Sequence, residues 1–160
     1  MTRAKFPVTP AVRLLRQHQV PFEAHLYGYE ERGGTSVSAR ELGVDEHRVI
    51  KTLVMEDDRG QPLIILMHGD RQVSAKELAR AIGARSVVPC APQAADRHSG
   101  YQVGGTSPFA TRKALPVYME ESIRELPTLY INGGKRGFLV EITPADLERV
   151  LEPVPVRVGI

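Results

Sequence analysis

Three stretches of the 160-residue sequence bring together residue types able to act on a carbonyl or hold an anion. The first is Lys51, in the β-rich run Val49 to Met55. Strand alternation places it on one face with Val49, Leu53 and Met55, while Ile50, Thr52 and Val54 point the other way. A lysine on an apolar face either snorkels its ammonium to water or keeps it partly desolvated. In the second case it can polarise a carbonyl or hold an anionic group where screening is weak. The second stretch, Asn132 to Gly137, reads as a six-residue hairpin loop between two expected strands. Its glycines, Gly133, Gly134 and Gly137, exceed ordinary turn needs. They would let backbone N–H groups approach a ligand and form an oxyanion or anion-binding concavity beside Lys135 and Arg136. The third is Gly100 to Phe109, where Gly104, Gly105, Thr106 and Ser107 lie between the aromatics Tyr101 and Phe109. It reads as a binding loop able to meet a base or an aminoacyl group, or else as a mobile surface loop.

The other common chemistries find little support. His18, His25, His47, His68 and His98 are scattered, without the i, i+4 pairing of helical zinc motifs, and no metal site is expected. No Gly-x-Ser-x-Gly is present, and Cys90 follows Pro89 without a local nucleophile signature. A single cysteine excludes an internal disulfide and fits a reducing cytoplasm. Net charge is only +2, so any nucleic-acid contact must come from local clustering. Such clustering exists: Arg97, Arg112 and Lys113 occur without an intervening acid, and Lys135 with Arg136 adds a second basic pair. Met1 to Pro10 carries Arg3 and Lys5 but leads into no apolar stretch of leader length, and nothing approaches the ~20 apolar residues of a membrane span.

Positioning these residues is the work of alternating short elements. Thr9-Pro10 caps a helix ending before Pro21, Phe22 to Tyr27 is extended, and Ser36 to Leu42 forms a helix stopped by Gly43. Val49 to Met55 and the unbroken apolar run Leu63 to Met67 form a hairpin across 57–61, the second strand covered on both faces. Ser74 to Glu77 is a capping box for a helix reaching Gly83. Ser86 to Val88 is a strand and Ala91 to Arg97 a short helix. After the irregular stretch 98–113 come strands at 116–119, 127–131 and 138–142, then a helix opened by Thr143-Pro144. Hairpin-length connections imply antiparallel pairing. The expected fold is a single mixed α+β domain over 1–160, a curved, largely antiparallel mixed sheet flanked by short helices.

The three stretches, in this order and spacing, resemble the YbaK/EbsC family, which includes Cys-tRNA(Pro) deacylase and the editing domain inserted in bacterial prolyl-tRNA synthetases. The resemblance runs from about Thr9 to Leu151. It implies hydrolysis of the ester joining a wrong amino acid to the terminal ribose of tRNA, tRNA(Pro) in particular, with no metal or cofactor. It matches Lys51 to the family's essential lysine and Gly104 and Gly105 to its substrate loop. Gly133, Gly134 and Gly137 match its second glycine loop, and Tyr27 an aromatic pocket residue. On this reading Lys51 and the Gly134 amide carry catalysis, and Tyr27, Gly104, Gly105, Thr106, Ser107, Asn132, Gly133 and Gly137 bind substrate. Arg112, Lys113, Lys135 and Arg136 hold the tRNA. In the Cys-specific branch the substrate's own thiol attacks its carbonyl. Asn132 stands where that branch usually has serine, Leu139 where it often has aspartate, and Gly34 where an aromatic lines the pocket. Alanine or another small amino acid therefore stands beside cysteine as the group removed. A non-enzymatic tRNA-binding module is the rival from another class, and a third reading, an accessory subunit that acts only when docked on prolyl-tRNA synthetase, is compatible with the deacylase. The oligomeric state is left open.

Overall fold

The computed structural model describes residues 5–160; the start of the amino-terminal stretch discussed above, residues 1–4, lies outside them. Five helices and eight strands follow one another. Helix α1 (Pro10–Gln17) begins where the Thr9 hydroxyl accepts from Val12 N–H. Strand β1 (Glu23–Leu26) leads to α2 (Gly34–Leu42), which ends on Gly43 in the left-handed region. A 3-10 turn precedes β2 (Val49–Asp57) and β3 (Pro62–His68). Next come α3 (Ala75–Ile82), capped by Ser74, then β4 (Val87–Pro89), α4 (Pro92–Ser99) and β5 (Val117–Glu120). Strands β6 (Leu129–Lys135) and β7 (Phe138–Ile142), α5 (Pro144–Leu151) and β8 (Val154–Val156) complete the chain.

The strands form one mixed sheet in the order β1-β7-β6-β2-β3-β5-β8, with β4 pairing to β2 off this path. Pairs β1–β7, β6–β7, β2–β3 and β2–β4 are antiparallel, whereas β2–β6, β3–β5 and β5–β8 are parallel. Helices cover both faces, and β3 shows why its sequence is unbroken. Ile64 and Leu66 join the core beneath α1, α4 and α5, while Leu63, Ile65 and Met67 join the one beneath α3. A third cluster, Ala39, Val49, Tyr130 and Leu139, seats α2.

One expectation is corrected, one alternative falls, and one strand is added. The segment 132–137 is not a six-residue loop: β6 continues to Lys135, with an irregularity between Asn132 and Lys135, and the turn is only Arg136-Gly137. The Asn132 side chain explains the difference, since its Oδ1 accepts from Gly134 N–H (2.7 Å) and Lys135 N–H (3.2 Å) in place of a strand partner. The irregular stretch after α4 is not a mobile surface loop either. Tyr101, Ser107 and Phe109 are buried, and the Tyr101 hydroxyl donates to the Phe109 carbonyl (2.6 Å). Finally, the structure adds β8, a Val-Pro-Val run to which the sequence alone assigns no element; as an edge strand beside β5 it tolerates the proline.

Phe109 is fully buried in the main core and anchors the whole irregular stretch. Phe109→Ala is expected to cost about 3–5 kcal/mol, measured by urea denaturation.

Candidate functional site

The site arises where the sheet comes apart. β2 pairs with β6 only at Val49–Tyr130 and Ile50–Ile131. From Met55 onward the same edge of β2 is taken by β4. Between these points, among the described residues, no strand pairs with Lys51, Thr52 or Leu53 on that side. The opening is a cavity of about 850 Å³. Its lining includes both faces of β2, Tyr27 and Tyr29, the start of α2, Cys90 and the first turns of α4, loop residues 102–104 and 106, and Asn132, Arg136 and Leu139. That volume lies within the usual range of small-molecule pockets.

Lys51 stands on this wall as alternation placed it. Its Nζ donates to the Arg71 carbonyl. Burial pushes the ammonium below the ordinary lysine range, while the carboxylates of Glu46 and Asp70 draw it back up. Both acids are held: Thr35 Oγ1 donates to Glu46 (2.7 Å), and Asp70 pairs with His47 Nδ1 (2.8 Å). The lysine is therefore a half-buried cation tied to one carbonyl and flanked by two anchored carboxylates. On the other side of the strand Thr52 Oγ1 is buried with no hydrogen-bond partner among the described residues.

The two glycine stretches meet, as the reading of the sequence required. Asn132 Nδ2 donates to the Gly104 carbonyl (3.3 Å), and Arg136 Nε donates to the Val103 carbonyl (2.9 Å). The Arg136 guanidinium also lies over the Tyr29 ring, 5.0 Å from its centroid. A Cβ on Gly105 would stand 2.6 Å from Arg136 N, so only glycine lets the segments approach this closely.

Of the expected site residues, Lys51, Tyr27, Gly104, Thr106, Asn132 and Arg136 line the cavity, and so do Gly34 and Leu139. Gly105, Ser107, Gly133, Gly134 and Gly137 lie outside its lining. Gly133 backs onto the Phe138 ring, Gly134 onto Tyr101 and Thr9, and Gly137 onto the Tyr27 carbonyl. Ser107 is buried and accepts from Phe109 N–H (3.1 Å). The Gly134 N–H, expected to face an oxyanion, is already bonded to Asn132. Arg112, Lys113 and Lys135 are exposed and outside the lining.

Sequence reasoning missed Tyr29, Leu53 and Asp96, all of which line the cavity. Asp96 accepts from Val103 N–H (3.0 Å) and so fixes the loop. An aromatic within the polar stretch 28–34 was the available signal for Tyr29. Elsewhere Glu23, His25 and Glu141 bring ligand-type atoms within 4.8 Å of one another. Glu141, however, is already engaged by Thr128 (2.7 Å), His25 (3.1 Å) and Arg48 (3.7 Å).

The sheet thus opens beside a half-buried lysine, with two glycine segments closing the gap. Residues 30–150 match the aminoacyl-tRNA editing domain family. The chain belongs to that family. It is 30% identical over 137 residues to EbsC of Enterococcus faecalis, provisionally named a Cys-tRNA(Pro)/Cys-tRNA(Cys) deacylase, covering 85% of this chain and 84% of EbsC. It is 27% identical over 120 residues to the proline–tRNA ligase of Streptococcus equi subsp. zooepidemicus, a match spanning 69% of this chain but 19% of the ligase. A solved structure provisionally described as a trans-editing enzyme for prolyl-tRNA synthetase shares the fold, with a TM-score of 0.81 at 18% identity over 96% of this chain and 99% of that one.

Asn132→Ala removes the acceptor of two amides and the donor to Gly104. A loss of about 1–2 kcal/mol is expected in urea denaturation, with faster amide exchange at Gly134 and Lys135.

Proposed function

We propose that the chain is a free-standing aminoacyl-tRNA deacylase that hydrolyses the ester of mischarged tRNA in cytoplasmic proofreading, Cys-tRNA(Pro) being its leading substrate and an alanine-charged tRNA the alternative. One observation carries this reading: the partly buried ammonium of Lys51 stands in the wall of a cavity large enough for the aminoacylated 3′ end. Attack on an ester carbonyl builds negative charge on its oxygen, and a half-buried cation held beside it stabilises that charge more than the neutral ester. Because Asn132 takes the Gly134 and Lys135 amides, this role passes from the glycine segment to Lys51. The nucleophile is water or, with cysteine, the substrate's own thiol. Arg136, already aligned on Tyr29, offers a cation to a terminal phosphate, with Lys135, Arg112 and Lys113 exposed for the rest of the tRNA.

Leu53 and the buried Leu139 give the lining apolar side chains, which suits a small amino acid. The relationship to proline–tRNA ligases supports tRNA(Pro) as the carrier and docking on that synthetase as a way of working.

A deacylation panel with Cys-, Ala-, Ser- and Pro-charged tRNA(Pro) tests activity and preference together. Hydrolysis of at least one is expected, and Lys51→Ala is expected to slow it by about 100-fold or more. Wild-type turnover by Lys51→Ala would overturn the assignment. Salt-sensitive tRNA binding without release of any amino acid would identify a binding module instead.

A further inference from the structure

Residues 154–160 lie outside the stretch matched to the family, yet they are tied to the segment that fixes Lys51. Strand β8 lies parallel to β5, with Glu120 opposite Val156. Beyond it, the Glu120 carboxylate, only 5% exposed, accepts from Val158 N–H (2.8 Å) and Gly159 N–H (2.7 Å). A Cβ on Gly159 would stand 2.6 Å from Glu120 Oε2 and 3.2 Å from Met67 Sδ. The tail so held runs antiparallel to residues 72–74. Gln72 and Ile160 exchange both backbone bonds (3.0 and 2.8 Å), Ser74 N–H donates to the Val158 carbonyl (2.8 Å), and Val73 bridges Gly159. Gln72 and Val73 line the cavity, and the neighbouring Arg71 carbonyl accepts from Lys51 Nζ.

We infer that Glu120 is a positioning residue for Lys51: its buried carboxylate clamps the 157–160 tail, the tail holds residues 72–74 as an added strand, and that segment presents the Arg71 carbonyl to the ammonium. The inference rests on the proposed role of Lys51. A buried carboxylate bonded to two backbone amides is among the stronger hydrogen-bonded arrangements in a protein. One side chain remote from the cavity thus fixes the geometry of its cation.

Two variants test this in the full-length chain. Glu120→Gln weakens the clamp by removing its charge, and Gly159→Ala pushes tail and carboxylate apart by setting a methyl against Glu120 Oε2 while leaving the Glu120 side chain chemically unchanged. The substrate is whichever member of the Cys-, Ala-, Ser- and Pro-tRNA(Pro) panel the wild type hydrolyses fastest, and Lys51→Ala is assayed alongside. Amide exchange at Gln72, Ser74 and Ile160 is expected to quicken by about tenfold or more in both variants while α1 and β6 keep their protection. The catalytic constant is expected to fall by about tenfold with KM little changed, the pattern of a misplaced catalytic group rather than a lost binding contact. Unchanged exchange at residues 72–74, or quickened exchange with wild-type turnover while Lys51→Ala is inactive, would overturn the clamp. Full activity of Lys51→Ala would overturn the reading of the site instead. Should Glu120→Gln fail to fold, Gly159→Ala alone decides.

Discussion

The site depends on a constraint in backbone pairing: β2 cannot stay beside β6 and also meet β4 along one edge. After Ile50 and Ile131 the two parallel strands separate, and β4 claims the edge only from Met55. On its other edge β2 stays paired with β3 from Ile50 to Glu56 without interruption. The gap is thus built into the pairing of the sheet. The candidate site is arranged around it: Lys51 on the strand that stays, the hairpin of β6 and β7 on the strands that leave, and the irregular stretch after α4 between them.

Closing that gap demands close backbone approach, and the glycines serve this need. Gly105 lies against the backbone of Lys135 and Arg136, Gly133 against Phe138, and Gly134 against Tyr101 and Thr9. The Thr9 hydroxyl both caps α1 and donates to the Gly133 carbonyl, tying the first helix to the hairpin. Burial pushes the Tyr101 phenol up to about 12, so it stays a neutral donor to Phe109 at physiological pH. The wall is held by packing and by bonds to Asn132 and Arg136.

Much of this was legible in the sequence, for physical reasons. Alternation in Val49 to Met55 oriented Lys51, and the hydroxyl caps at Thr9, Ser74 and Thr143 marked three helix starts that the structure retains. The unbroken apolar run of β3 announced burial on both faces. What stayed hidden depends on long-range partners. Three glycines near a basic pair read as a loop, because only the Asn132 side chain standing in for a strand keeps β6 going to Lys135. Burial of the stretch after α4 follows from Phe109 finding the core, which local periodicity does not report. The pairing of Arg136 with Tyr29 joins residues more than a hundred positions apart, and the tail beyond α5 is ordered by a carboxylate on β5.

The open edge of β2 has one more implication. Val54 turns its carbonyl outward to the Cys90 N–H, and alternation along the strand puts the N–H and C=O of Thr52 on the same edge, facing the cavity. A group entering there meets unpaired main chain as well as an ammonium, so it occupies the place of an absent strand. Recognition through main-chain groups is indifferent to side-chain identity. It would suit the substrate of the proposed deacylation, whose ribose and ester are the same whatever amino acid it carries.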